Sequence, residues 1–137
     1  MSAVAESATQ KPKTATNTVV WFDMPVVDLD RSIRFYSAVL GSPVHKEQHS
    51  GMAFAVLHHE EGGVSGCLIP GTENNDIKPS DHGPLLYLNC QGRLDQAIAA
   101  VVPNGGKVLQ PRHPIGPYGS RAIILDSEGN RVALHSM

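Results

Sequence analysis

The chain is poor in cysteine, in aromatic side chains and in any excess of charge. Two cysteines in 137 residues, Cys67 and Cys90, make a disulfide framework an unfavoured expectation and cannot build a zinc site from thiolates alone. With 11 Lys and Arg against 13 Asp and Glu, the formal net charge is −2. That balance lacks the electrostatic footprint of a nucleic-acid binder, and no basic cluster supplies one locally. No apolar run approaches the roughly 20 residues of a membrane span. Residues 1–17 are rich in Ser, Thr and Ala and lack the apolar core of a secretory signal. They read as a flexible tail, with a cytoplasmic location expected for the whole. What remains, 41% hydrophobic and 18% charged, is the composition of one ordinary globular domain over 18–137, or of two small modules sharing a core.

The apolar run Val19, Val20, Trp21 and Phe22 reads as a strand that Pro25 closes. Asp28 then stands where a helix N-cap belongs. Leu29, Ile33, Tyr36, Val39 and Leu40 follow at helical spacing, and Gly41 supplies a left-handed stop. The same grammar returns further on. Leu85–Leu88 read as a strand, Leu94, Ala97, Ile98 and Val101 as a helix, and Pro103-Asn104-Gly105-Gly106 as its end. Leu29 and Leu94, Asp30 and Asp95, Ile33 and Ile98, and Gly41 and Gly106 share an offset of 65 residues, which indicates an internal duplication.

Three strand candidates follow each helix. The first set is Val44–Gln48, Ala53–His59 and Val64–Ile69; the second is Lys107–Gln110, Arg121–Leu125 and Arg131–His135. The fold class expected is therefore α+β, two tandem βαβββ modules of about 18–70 and 84–137. Pro70 to Pro84, with Asn74 and Asn75 inside it, is the linker. A lone module would leave its sheet half covered, so the two must share a buried surface.

This arrangement resembles the vicinal oxygen chelate superfamily, which includes glyoxalase I, extradiol dioxygenases and bleomycin-resistance proteins. The resemblance rests on Phe22-Asp23-Met24-Pro25-Val26-Val27-Asp28-Leu29-Asp30-Arg31-Ser32 and on Phe35-Tyr36 with Val39-Leu40-Gly41. Further support comes from Gly105-Gly106-Lys107-Val108, Gly116-Pro117-Tyr118-Gly119 and Asp126-Ser127-Glu128-Gly129-Asn130. It implies partly open mixed sheets around a central pocket, and a homodimer. In metal-dependent relatives it also implies His, Glu or Gln ligands on the first and last strands of each module, holding a divalent ion that acts as a Lewis acid.

Carried onto this chain, those positions fall at Trp21, Leu85, Ala133 and the stretch Gly66-Cys67-Leu68. Trp, Leu and Ala cannot coordinate a divalent ion, so no metal or other cofactor is expected with the usual ligands. Strand alternation places Asp23 with Trp21, Tyr87 and Asn89 with Leu85, and His135 with Ala133. His58 and His59, adjacent on an expected strand, would point to opposite sides.

The candidate ligand-binding set is thus Trp21, Asp23, Tyr87, Asn89, Tyr118 and His135, with flat aromatic area for a small organic ligand and polar groups to orient it. Trp21 and Tyr87 equally suit a plain core. Asp23 is the candidate catalytic residue, a general base if burial raises its pKa, or a structural partner of Arg121 or Arg131. The segment Pro111–Gly119 reads as a loop over the pocket mouth, where Arg112 can steer an anion. The leading expectation is small-molecule binding without a metal. The alternatives are a glyoxalase-type lyase, isomerase or dioxygenase using an atypical metal set or Asp23 as base, and a purely structural module whose pocket is filled by side chains.

Overall fold

The computed structural model describes residues 17–71 and 77–137. The expected tail falls almost wholly outside them, as do Asn74 and Asn75 of the linker. The elements run β1 (Asp23–Val26), α1 (Leu29–Leu40), β2 (His45–His49), β3 (Met52–Val56) and β4 (Cys67–Pro70). The second half repeats the order with β5 (Leu86–Asn89), α2 (Leu94–Val101), β6 (Lys107–Pro114), β7 (Ser120–Leu125) and β8 (Arg131–Ser136).

The described residues form two four-stranded sheets of order β1-β4-β3-β2 and β5-β8-β7-β6. In each, the first strand pairs in parallel with the last and the remaining pairs are antiparallel. The α+β, two-module architecture is as the sequence indicated, with no closed barrel. Each helix packs on its own sheet, and α1 packs against α2. The core therefore lies between the helices and one face of each sheet, around Phe35, Tyr36, Val39, Leu68, Val101, Ile124 and Leu134. The alternation along β1 and β5 follows from this. Met24, Val26 and Leu88 point inward and are buried, while Asp23, Tyr87 and Asn89 lie on the open face.

Helix α1 is bounded as its sequence dictates. Asp28 is the N-cap and accepts a hydrogen bond from the Arg31 amide, and Gly41 ends the helix at φ 70°. The second module then holds both ends. At the N-terminus, Glu128 Oε1 accepts from the amides of Val27 and Asp28 at 2.8 and 2.7 Å, and its carboxylate pairs with Arg31 at 2.7 Å. At the C-terminus, Arg93 donates to the Val39 carbonyl at 2.5 Å. A Cβ on Gly41 would lie 2.7 Å from that guanidinium and displace it, and the positive φ favours glycine there. An anion at one end and a cation at the other both complement the helix dipole. A second link is buried: Tyr36 donates to Asp126 Oδ2 at 2.5 Å, and Asn130 Nδ2 donates to the Pro25 carbonyl at 2.7 Å.

Several boundaries differ from the sequence reading, among them the start of β4, at Cys67 rather than Val64, and three that bear on the site. The first strand begins at Asp23 rather than Val19 and runs through Pro25. Strand β1 is a sheet edge, so proline's missing N–H leaves no ladder bond unmade on its free side. Strand β3 stops at Val56, which leaves His58 and His59 in an exposed connection rather than on opposite faces of a strand. The segment Pro111–Gly119 is half strand, because β6 is likewise an edge that tolerates Pro111 and Pro114 across two register shifts. The described part of the linker is docked: Ser80 accepts from the Arg131 amide and donates its own amide to Asn130 Oδ1.

Burial pushes the Glu128 carboxyl up, but hydrogen bonds from Arg31, the Asp28 and Val27 amides and Ser127 outweigh it and hold it at about 2. The stabilisation this carboxylate provides is present above its unfolded value, near 4.5, and is lost as pH falls towards 2. Chemical denaturation across that window should show stability falling in the native chain and a flatter acid limb in Glu128→Gln. Truncation by Glu128→Ala, which leaves both amides and Arg31 without their acceptor, should cost about 2–3 kcal/mol at neutral pH.

Candidate functional site

The parallel pairings set the open faces of the two sheets in equivalent register. Asp23 lies beside Cys67 in the first, and Tyr87 beside Ala133 in the second. The two faces carry different chemistry.

On the first, the Cys67 thiol donates to Asp23 Oδ1 at 3.2 Å and also contacts the Trp21 side chain. Burial, and after it the adjacent Asp23 carboxylate, push this thiol up to about 11. It is a protonated donor to Asp23 rather than a free nucleophile. Asp23 is exposed and lines a small cleft of about 270 Å³ with Lys78, Ser80, His82 and Arg131. No Arg pairs with it among the described residues. Arg131 donates instead to the Gly83 carbonyl, and Arg121 lies on the other sheet.

On the second face, one row of cross-strand neighbours reads Asn89, His135, Arg121, His113. Arg121 Nε donates to His113 Nε2 at 2.9 Å, and His113 Nδ1 bonds the Pro111 carbonyl at 2.9 Å. That pair of bonds fixes His113 as the neutral tautomer with its proton on Nδ1. Arg121 Nη1 donates to the Tyr87 hydroxyl, and its guanidinium carbon stands 5.8 Å from the Tyr87 ring centre. Ala133, fully buried, lies opposite Tyr87 and Ile123, while Arg121 lies opposite His135, so the Tyr87–Arg121 bond crosses β8 on a diagonal. His135 packs edge-on to Tyr87 at 6.0 Å, and its Nε2 bonds the Tyr118 carbonyl at 2.6 Å. Tyr118 itself is 71% exposed and joins the cluster through its backbone alone.

Where the first module approaches β5 there is a cleft of about 650 Å³. Its walls are Phe22, Leu57, Val64 and Leu85 together with Tyr87 and Asn89, and His58, His59 and Glu60 stand at it. Asn89 Oδ1 accepts from the Gln91 amide. Of the residues singled out from sequence, Tyr87, Asn89 and His135 come together on one sheet. Trp21 and Asp23 belong to the other. Arg112, expected to steer an anion, is already paired with Asp95 at 3.0 Å. Arg121 and His113 were not read as site residues. Their signal is parity: Arg121 lies two residues before buried Ile123, opposite His135.

The fold and this register match a family. A model of the Glyoxalase/Bleomycin resistance protein/Dioxygenase superfamily fits residues 18–134. The chain belongs to that superfamily. A glyoxalase/bleomycin resistance protein from Albidiferax ferrireducens T118 superposes with a TM-score of 0.72 at 20% identity, over 88% of this chain and 99% of that one. A glyoxylase/bleomycin resistance protein/dioxygenase domain from Frankia sp. EAN1pec gives 0.67 at 19%, over 89% and 98%. A glyoxalase I variant from Zea mays gives 0.62 at 21%, covering 85% of this chain but 46% of that one. No curated protein sequence matches the chain. At these identities the solved structures establish the fold alone.

The donor set on the open faces does not fit the divalent ion of the superfamily's metal-dependent members. Ala133 has no donor atom and Tyr87 is committed to Arg121. Among the described residues no three His, Cys, Asp or Glu side chains are grouped to hold an ion. Untagged protein incubated with zinc, nickel, manganese or iron(II) and then desalted should retain well under one metal per chain. Stoichiometric retention, measured by elemental analysis, would contradict this account of the donors.

Proposed function

We propose that the protein binds a small organic molecule in the cleft beside β5, and does so without a metal. The observation that carries this is the cleft itself. About 650 Å³ of open space bounded by both modules is within the range of small-ligand sites, and it is not filled by side chains as a purely structural module would require. Its walls are apolar with a few polar groups converging at Tyr87 and Asn89, the composition expected where burial supplies affinity and hydrogen bonds supply orientation. In this reading the chain resembles the bleomycin-resistance side of its superfamily more than the metal-dependent lyases.

The enzyme alternative, with Asp23 as general base, draws less support. Asp23 is exposed, lines the smaller cleft and accepts a hydrogen bond from Cys67. The cytoplasmic location stays part of the proposal, since two buried free thiols suit a reducing compartment, and no helix among the described residues is long and apolar enough to cross a membrane. Pairing of two copies is proposed as well. Both sheets have one face turned away from the helices, and Val19, Trp21 and Val64 are exposed near it. A solution mass of twice the 14.7 kDa chain is the expected result of light scattering, and a monomer at all concentrations would refute it.

Screening small organic compounds against isotope-labelled protein should move resonances of Tyr87, Asn89 and Val64 together. Val64→Trp, which fills an exposed wall, should abolish those shifts while leaving the melting temperature within a few degrees. Hits that perturb Asp23 and Trp21 instead, and that Asp23→Asn eliminates, would transfer the site to the first sheet.

A further inference from the structure

Arg121 has no charge partner in the fold among the described residues. It is half-buried on the open face of the second sheet. Its bonds go only to neutral groups, Nε to His113 and Nη1 to the Tyr87 hydroxyl. A guanidinium held this way keeps its full charge with one terminal amino group, Nη2, free of any partner among the described residues. The Tyr87 hydroxyl oxygen accepts from Arg121, so its own proton is available, and among the described residues nothing accepts it. His113, fixed as the neutral tautomer by Pro111, orients the guanidinium without adding charge. The arrangement is thus one positive charge and two unsatisfied donors side by side. The acidic side chain at the cleft, Glu60, is 91% exposed and sits 3.5 Å from His58, away from this cluster's bonds.

We infer that Nη2 of Arg121 and the hydroxyl of Tyr87 bind the carboxylate of an amphipathic organic acid. Two donors match the two oxygens of a carboxylate, whereas a phosphate dianion would leave most of its oxygens and half its charge unmet. Tyr87 joins the two halves of the site. Its hydroxyl bonds Arg121, which stands outside the cleft's lining, and Tyr87 itself lines the cleft with Phe22, Leu57, Val64 and Leu85, which suit an apolar body. The inference rests on the proposed binding cleft and adds to it the class of ligand.

The test compares 2-naphthoate with its neutral isostere 2-naphthamide by calorimetry and by NMR of the native chain. The acid should bind at least about tenfold more tightly than the amide, as charge-assisted hydrogen bonds require, and should shift the Arg121 Nε–H resonance. Arg121→Gln should bring the two affinities together, and inorganic phosphate should not displace the acid. Tyr87→Phe removes one donor and keeps the ring, so it should weaken the acid severalfold and the amide little. That variant serves as well if Arg121→Gln does not fold. Equal affinity for acid and amide in the native chain would overturn the carboxylate assignment while leaving the cleft as a binding site. No binding of naphthoate, a preference that survives Arg121→Gln, or displacement by phosphate would overturn it too.

Discussion

Helix α1 is held at both ends by charged side chains from the other half of the chain, and the two-module arrangement depends on that grip. Glu128 takes the two amides before the helix together with Arg31, and Arg93 takes a carbonyl in the last turn. Either contact alone would be a helix cap of the usual modest value. Set at opposite ends of a 12-residue helix, they also fix its position along its axis and its rotation relative to the second sheet. The buried bonds from Tyr36 to Asp126 and from Asn130 to the Pro25 carbonyl add two further points of attachment close to the first. The Asp126-to-Asn130 turn is thus a socket for the first module, joined to it by Asp126, Glu128 and Asn130, while Gly129 supplies the turn's positive φ of 95°.

The grip is one-sided. Helix α2 has no side-chain cap at its N-terminus, is 8 residues long and gives way to a short turn at Val102–Asn104. Two copies of one module need not keep two copies of each contact. Once Glu128 and Arg93 fix α1, the α1–α2 contact locates α2 without a second set of caps. The same divergence appears on the open faces. Equivalent positions hold Asp23 and Cys67 in the first sheet and Tyr87 and Ala133 in the second. An acceptor with a protonated thiol occupies one face, and a guanidinium with aromatic rings the other.

Much of this was legible in the sequence and some was not, for definite reasons. Asp28, the apolar spacing and Gly41 are local signals within one helix, and α1 lies between them as read. Strand ends depend on partners. Val19–Phe22 has the composition of a strand, yet the ladder starts at Asp23 because β4 begins pairing at Cys67, where a Cβ on the preceding Gly66 would meet the Phe22 carbonyl at 2.5 Å. The repeat offset is also not rigid. Gly105, at φ 98°, takes the capping role of Gly41, while Gly106 is pressed against Phe35 and the Leu125 carbonyl. Glu128 was visible only as part of a turn, since its bonds cross about 100 residues of sequence. Arg121 needed the register of four strands to be seen beside Tyr87 and His113.

Ala133 connects the fold to the site. In the superfamily pattern carried onto this chain, that position belongs to a metal ligand, and an alanine there reads at first as a loss. Its neighbours give it another role. It lies opposite Tyr87 on β5 and Ile123 on β7, beside the diagonal along which Tyr87 reaches Arg121. Across β8 the phenol oxygen accepts a hydrogen bond from the Arg121 guanidinium, and its own proton is left to donate. A position without a coordinating atom thus adjoins a charged hydrogen-bonding pair. A scaffold whose sheets are fixed from behind, by helices and a socketed turn, can exchange these open-face residues at little cost to its core, because Tyr87 and Arg121 bury none of the apolar surface that holds the modules together.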